Sequence, residues 1–358
     1  MLLSANKKST LKFKVKIQNM KIAINGFGRI GRLFFRQVWG NPDIDVVAIN
    51  DLGDAQNLAY LLKYDTVYRG WNADIKVGSD SSLIVNGKTI QFLQQKNPSQ
   101  LPWKQLGIDV VIESTGVFES YEKAKVHLDA GAKRVLLTAP AKDADGTLGK
   151  TVLLGLNEET LNTCQISSNA SCTTNGVSPV MAVLAETVGI EKAILSTVHA
   201  YTATQNIVDG PVKGEDYRRG RAAAQNIVPS TTGAAIAVTR AFPELEGKFD
   251  GIAIRVPVVD GSLIDVTCVT KKNTSVEEVN KILTDAAASP KWQGILGVTN
   301  EQIVSSDVIG MPYASLVDLK FTKVIGGNLV KVLAWYDNEW GYVTTLIKHL
   351  EKIKAVLK

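Results

Sequence analysis

The spacing of apolar residues along this chain changes character near residue 190. Before that point, compact apolar blocks alternate with helical spacings. Lys21-Ile22-Ala23-Ile24-Asn25, Asp45-Val46-Val47-Ala48-Ile49-Asn50, Asp109-Val110-Val111-Ile112-Glu113 and Arg134-Val135-Leu136-Leu137-Thr138 are short and nearly continuous, as expected of strands covered on both faces. Leu33, Phe34 and Val38 ahead of Gly40 form one helical run, and Tyr121 to Ala130, stopped by Gly131, forms another. Ser82 to Leu93 reads as a hairpin turning at Asn86-Gly87, and Thr151–Leu156 and Gln165–Ser167 as short strands. This alternation predicts an α/β fold with a Rossmann-type doubly wound parallel sheet and an antiparallel insertion.

Val177, Met181, Leu184 and Val188 then mark the apolar face of a helix that opens at Cys172. Beyond it, Lys192–Val198, Ile252–Val259, Leu263–Thr270 and Leu329–Tyr336 read as strands, with helices at Gly233–Ala241 and Val276–Ala288. Strands grouped beside a few helices predict an α+β catalytic domain with a larger, mostly antiparallel sheet. The polar stretch Tyr201–Arg221 lacks periodicity, and its length argues for a functional or interface loop. Val343, Leu346, Ile347, Leu350, Ile353 and Leu357 make a closing amphipathic helix.

The 358 residues suffice for two domains, and 45% hydrophobic with 21% charged residues fits a packed soluble chain. No apolar run approaches the roughly 18–20 residues of a membrane span. Three cysteines cannot all pair, so a reducing compartment is expected rather than a disulfide framework. The net charge of +5 resides in residues 1–20, which hold five lysines and no acid. The remainder balances 35 basic against 35 acidic residues, which gives no reason to expect a nucleic-acid partner. Residues 1–19 read as a disordered arm, or as a non-native extension with Met20 the working start. The lack of Arg speaks against a transit peptide.

Gly26-Phe27-Gly28-Arg29-Ile30-Gly31 is a G-x-G-x-x-G set between a strand and a helix. The first Gly permits the turn, the second lets backbone approach a pyrophosphate, and the third lets helix and strand close up. Asp51 ends the next strand, where a ribose-binding carboxylate belongs. It repels a 2′-phosphate, so NAD is expected over NADP. Cys172 sits among small and hydroxyl residues at a helix N-terminus, where free N–H groups and the dipole favour a thiolate. His199 follows at the end of a strand. His127 and His349 sit in helical patterns and read as core residues.

Together Asn25–Arg32, Asn50-Asp51, Ser168–Asn175, Val198-His199, Arg255-Val256-Pro257 and Trp335–Glu339 resemble the glyceraldehyde-3-phosphate dehydrogenases, from Met20 to near the C-terminus. The resemblance implies a cytoplasmic homotetrameric enzyme of glycolysis and gluconeogenesis. It would oxidise glyceraldehyde 3-phosphate to 1,3-bisphosphoglycerate with NAD and inorganic phosphate, with no metal. Cys172 would be the nucleophile, passing through a hemithioacetal and a thioester, and His199 the base. The backbone N–H of Cys172 would hold the oxyanion. Cofactor contacts are implied for Asn25, Gly26, Phe27, Gly28, Arg29, Ile30, Gly31, Asp51, Leu52, Lys96, Ser114, Thr115, Gly116, Thr138, Pro211, Asn338 and Tyr342. Asn338 would bond the nicotinamide carboxamide, with Tyr342 beside the ring. Thr202 and Arg255 would hold the substrate phosphate. Ser171, Thr173, Thr232 and Gly233 would hold the attacking one, with Arg255 between the two. Tyr201–Arg221 would pack on a neighbouring subunit near the cofactor.

The implied division is residues 20–170 for the cofactor, 171–335 for catalysis, and 336–358 as a helix returning to the first domain. Gly176 stands where many members carry a second Cys, and Thr204 where others carry Asp. Three other readings remain open at this stage. They are the same chemistry on erythrose 4-phosphate, a non-phosphorylating or thioester-hydrolysing enzyme, and a cofactor-binding interaction protein without turnover.

Overall fold

The computed structural model describes residues 19–357. The extension expected at residues 1–19 lies, but for Asn19, outside the described residues. The first half of the chain builds a nine-stranded sheet. Its strands are β1 (Met20–Asn25), β2 (Ile44–Asn50), β3 (Ile75–Val77), β4 (Leu83–Val85), β5 (Lys88–Leu93), β6 (Val110–Glu113), β7 (Arg134–Leu137), β8 (Gly149–Thr151) and β9 (Ile166–Ser168). They lie in the order β3-β4-β5-β2-β1-β6-β7-β9-β8. All pairs from β5 to β8 are parallel, and the β3–β4–β5 meander is the expected antiparallel insertion. The C-terminal ends of β2, β1, β6, β7 and β9 therefore share one edge. Onto that edge the chain delivers Asp51, Gly26, Ser114, Thr138 and Asn169 in turn.

Around this sheet lie α1 (Arg29–Val38), α2 (Ala55–Lys63), α3 (Trp103–Leu106), α4 (Tyr121–Ala124) and α5 (Val126–Asp129). The single helix expected from Tyr121 to Ala130 is thus two turns, interrupted at Lys125, which keeps right-handed angles. The strand expected over Thr151–Leu156 stops at Thr151. Side chains take over its backbone bonding: Asn157 accepts from the Leu153 N–H and donates to the Thr151 carbonyl, and Glu158 accepts from the Gly155 N–H.

The second half holds α6 (Cys172–Thr187), β10 (Ile190–Ala200), β11 (Val228–Thr231), α7 (Ala234–Ala241), β12 (Phe249–Val256), β13 (Ser262–Thr270), α8 (Val276–Ala288), β14 (Leu296–Thr299), β15 (Ser315–Asp318), β16 (Lys323–Ile325), β17 (Leu329–Tyr336) and α9 (Trp340–Val356). Its eight-stranded sheet runs β11-β12-β10-β13-β17-β15-β14, with β16 paired to β17. Only β10–β12 and β14–β15 are parallel. The sheet exceeds the first in the length of its central strands rather than in their number. Alternate residues of β13 and β17 are buried, and their intervening neighbours form the opposite face.

The α6 helix is enclosed on every side from Thr173 to Leu184, not along one face alone, and forms the centre of the second core. The α9 helix crosses back. Its Val343, Leu346, Leu350 and Ile353 are buried in the same core as Ile22, Ile24, Phe34 and Phe35. Each such side chain contributes about 1.5–3 kcal/mol, so α9, although it follows the second sheet in the chain, stabilises the first.

Candidate active site

Beneath the glycine loop lies a buried polar network. The Glu113 carboxylate accepts from Asn25 Nδ2 (2.6 Å), from the Thr115 N–H (2.9 Å) and from the Thr115 hydroxyl (2.5 Å). Trp103 Nε1 donates to His127 Nδ1 (3.1 Å), which leaves His127 Nε2 to donate to Glu113 (3.0 Å). Asn25 Oδ1 accepts from Asn50 Nδ2 (2.7 Å). A buried anion is tolerable because its lone pairs are all occupied. The loop itself closes tightly. Gly26 has φ +96°, and a Cβ there would meet the Ser114 carbonyl carbon at 2.6 Å; one on Gly31 would meet the Gly26 oxygen at 2.2 Å.

Above the network opens a cleft of about 480 Å³ lined by Gly26, Gly28, Asp51, Leu52, Lys96 and Thr115, among others. Asp51 is held in place by the N–H groups of Phe27 (2.6 Å) and Gly53 (2.8 Å). Five other residues expected at the cofactor take the following places. The Arg29 side chain is not turned to a phosphate; it pairs with Asp65 and Glu339. The Asn25 side chain bonds Glu113 and Asn50 below the loop, and Asn25 still lines the cleft. Phe27 and Ile30 pack in the core, and the Phe27 amide is taken by Asp51. Pro211 is exposed on the long loop and does not line the cleft.

Further along the edge, Ala170 holds left-handed angles (φ +54°), a strained state for a residue with a Cβ. It is over-determined by its neighbours. The Tyr342 hydroxyl donates to the Ala170 carbonyl (3.0 Å), and the Ala170 N–H donates to Ser168 Oγ (3.0 Å). Asn169 donates to Thr345 Oγ1 (3.0 Å), while its Oδ1 meets His349 Nδ1 at 3.0 Å. His349 is fully buried, and burial holds its pKa down to about 3, so it is a neutral donor here. The chain then turns into α6. Ser171 caps it, accepting from the Thr174 N–H (3.0 Å), and Cys172 is its first residue.

Cys172 Sγ lies 3.4 Å from His199 Nε2. His199 sits within β10, opposite Arg255 of β12 in parallel register. Its Nδ1 is 2.6 Å from the Ala200 carbonyl and 2.7 Å from Arg255 Nη1. Tyr336 packs edge-on against the imidazole at 5.9 Å, and its hydroxyl bridges Thr173 (3.0 Å) and Thr197 (2.8 Å). Burial pushes the Cys172 thiol up to about 11, against the pull of Arg255 and of Thr173. Burial, reinforced by Arg255, holds His199 down to about 3. The helix start therefore does not by itself make a thiolate, as the sequence suggested. As a pair the two groups behave differently. A proton passing from Sγ to Nε2 leaves opposite charges in contact, and in a low-dielectric site their attraction offsets both burial costs.

Anion-holding groups surround this pair. Arg255 Nε is buried without a partner. A second guanidinium, Arg219, reaches Thr204 Oγ1 (3.2 Å), which bonds Thr202 Oγ1 (3.0 Å). Thr232 Oγ1 accepts from the Ala234 N–H, and Gly233 caps α7 with open space around it. Asn338 Oδ1 accepts from Ser262 Oγ (2.6 Å), which leaves its amide N–H groups to donate elsewhere.

Two family models match the chain. The NAD binding domain of glyceraldehyde 3-phosphate dehydrogenase matches residues 20–121, and the C-terminal domain matches residues 171–338. This chain belongs to the glyceraldehyde-3-phosphate dehydrogenase family. The enzyme of that name from Thermotoga maritima is 52% identical over 334 residues, covering 92% of this chain and 98% of its own. Those from Clostridium pasteurianum and Streptomyces coelicolor are 46% and 47% identical, over 94% and 92% of this chain and 99% and 96% of theirs. The chain is accordingly an NAD-dependent oxidoreductase of the family.

The structure thus brings Cys172, His199, Thr173 and Arg255 together, and gathers Gly26, Gly28, Asp51, Leu52, Lys96, Ser114 and Thr115 at the cleft. Gly116 lies just past Thr115 with φ +69°, and Thr138 at the end of β7 donates its N–H to the Glu113 carbonyl (3.0 Å). Sequence reasoning missed Gln95, Pro98, Val117 and Phe118, which also line the cleft, Tyr336 against His199, Ser262 bonded to Asn338, and Arg219 bonded to Thr204. Tyr336 lay within a motif already noted. Arg219 lay within the long polar loop Tyr201–Arg221, and the others carry no local signal, because only folding brings them to the site.

Proposed function

We propose that the chain oxidises D-glyceraldehyde 3-phosphate to 1,3-bisphosphoglycerate with NAD and inorganic phosphate. The observation that carries this is the Cys172–His199 contact with the Arg255 guanidinium alongside, its Nε without a partner. His199 takes the thiol proton, and Sγ adds to the aldehyde carbon to give a hemithioacetal. The Cys172 N–H, first in its helix and so without an intrahelical acceptor, faces the developing oxyanion. His199 returns its proton to that oxyanion, completing the hemithioacetal, and removes it again as the hydride departs, leaving a thioester on Cys172. NAD, when bound, supplies the hydride acceptor.

The residues present suit that cofactor. Asp51 accepts from ribose hydroxyls and repels a 2′-phosphate, the glycine loop offers N–H groups to a pyrophosphate, and Asn338 offers its amide to the carboxamide. Tyr342 lies beside the ring. Thr202 and Arg255 hold the substrate phosphate, with Arg219 near. Ser171, Thr173, Thr232 and Gly233 hold the inorganic phosphate that attacks the thioester.

Residues 20–170 with the returning helix 336–358 form the cofactor domain, and 171–335 the catalytic one. The enzyme works as a cytoplasmic homotetramer. Free thiols at Cys164, Cys172 and Cys268 fit a reducing compartment. Ile207, Val208 and Tyr217, at 83%, 72% and 76% exposed, give the long loop an apolar face suited to a neighbouring subunit. NADH formation, titrated with phosphate and compared between glyceraldehyde 3-phosphate and erythrose 4-phosphate, tests the assignment. Phosphate-independent turnover, or a preference for the tetrose, would overturn it.

A further inference from the structure

Between the two halves of the molecule lies a carboxyl cluster that the reaction does not use. Tyr68, in the loop after α2, places its hydroxyl 2.7 Å from Asp260 Oδ2 and 2.9 and 3.0 Å from the two oxygens of Asp337. It also accepts from the Trp340 N–H at 3.1 Å. A phenol has one proton to give. It satisfies one carboxylate, and the other contact would set two bare acceptors together unless that carboxyl carries its own proton. Asp337 is the ionised member, since the N–H groups of Gly310, Glu339 and Trp340 donate to it at 2.7, 2.9 and 2.6 Å. Asp260 is completely buried, and its Oδ1 has no partner. The proton therefore sits on Asp260 Oδ2 and is donated to Tyr68, which donates in turn to Asp337.

This cluster lies against the nicotinamide end of the site. Asp337 precedes Asn338. Asp260 lies two residues before Ser262, which bonds Asn338 and accepts from the Ala200 N–H (3.1 Å) next to His199. We propose that Tyr68 and Asp260 are positioning residues for Asn338, clamping the β12–β13 turn to the β17–α9 junction through one shared proton. This rests on the assignment of Asn338 to the nicotinamide carboxamide.

The charged surroundings favour retention of that proton at neutral pH. Glu339 faces Asp260 together with Asp337, while Arg29 is committed to Glu339 and Asp65. Asp307, on the nearby turn after β14, is bonded by the Val304 N–H. Burial, then Asp337 and Glu339, push the Asp260 carboxyl well above the usual carboxylate range. Tyr68 and Trp340 form one wall of an open cleft of about 410 Å³. At alkaline pH the proton leaves, two carboxylates face each other across one hydroxyl, and the supports of Asn338 are driven apart.

The test is NAD affinity of the full-length protein across pH, by quenching of tryptophan fluorescence. Affinity of the wild type should fall roughly three- to tenfold between pH 7 and pH 9.5. Asp260→Asn keeps a donor toward Tyr68 but cannot ionise, so its affinity should stay flat. Tyr68→Phe should lose about three- to tenfold in affinity already at pH 7, with kcat at saturating NAD changed less. An Asp260→Asn profile parallel to the wild type, or unaltered NAD affinity in Tyr68→Phe, overturns the proposal. Asn338→Ala separates this from the underlying assignment. If that variant binds NAD normally, the role of Asn338 is wrong; if it binds weakly while Asp260→Asn still tracks the wild type, only the clamp is wrong.

Discussion

Two groups compete for one nitrogen at His199. The Ala200 carbonyl can only accept and the Arg255 guanidinium can only donate, yet both lie within 2.7 Å of Nδ1. If Nδ1 carries the proton, Nε2 is a free base for the thiol and Arg255 turns to the Ala200 carbonyl, 3.2 Å away. If Arg255 donates to Nδ1, Nε2 must carry the proton and face Sγ as a donor. The first tautomer suits proton abstraction; once Nε2 has taken the thiol proton both ring nitrogens carry one, and the Ala200 carbonyl rather than Arg255 is the partner of Nδ1. His199→Asn removes the acceptor. Alkylation of Cys172 by iodoacetamide, followed from pH 5 to pH 10, should then rise only at higher pH, toward the value near 11 that burial sets for the unassisted thiol. At pH 7 the rate should fall by roughly 10- to 100-fold, in line with the loss of a positioned base. Coincident profiles for the two proteins would contradict the assignment of His199.

Elements differ in how openly the sequence announced them. The parallel strands were legible because burial on both faces leaves unbroken apolar runs, and β13 and β17 because one buried face imposes alternation. The glycine loop and the helix start at Cys172 were legible because close backbone approach and capping admit few residue types. The end of β8 was not, because Asn157 and Glu158 supply backbone partners that no local pattern encodes. Nor was the use of Arg29: its partners Asp65 and Glu339 lie 36 and 310 residues away. Glu113 is the sharpest case. At the end of an apolar strand it reads as a surface acid, but it is 4% exposed and every donor around it points inward. Glu113→Gln would turn an amide NH₂ toward those donors. It should cost about 2–4 kcal/mol of stability, the penalty for unpaired buried polar groups, and weaken NAD binding as the loop loosens. Urea unfolding with and without NAD measures both; a change below about 0.5 kcal/mol would show that the network adapts.

At the scale of the whole molecule, the second sheet has one face buried by α6, α7 and α8 and the other bare. Ile194 and Ile252, 57% and 48% exposed, lie on neighbouring strands of the bare face. With the apolar crest of the long loop they give each copy two separate apolar surfaces, as an assembly with dihedral symmetry requires. Ile252→Asp should divide a tetramer into smaller species in sedimentation velocity while a single copy stays folded. A wild-type protein that sediments as a monomer would refute the arrangement.

The α9 helix fills the core under the glycine loop and also grips the reactive loop through Tyr342, Thr345 and His349. A nascent chain therefore emerges with an unfinished nucleotide half and an unanchored thiol until α9 has left the ribosome, and a polypeptide released before that helix lacks the element that would arm it.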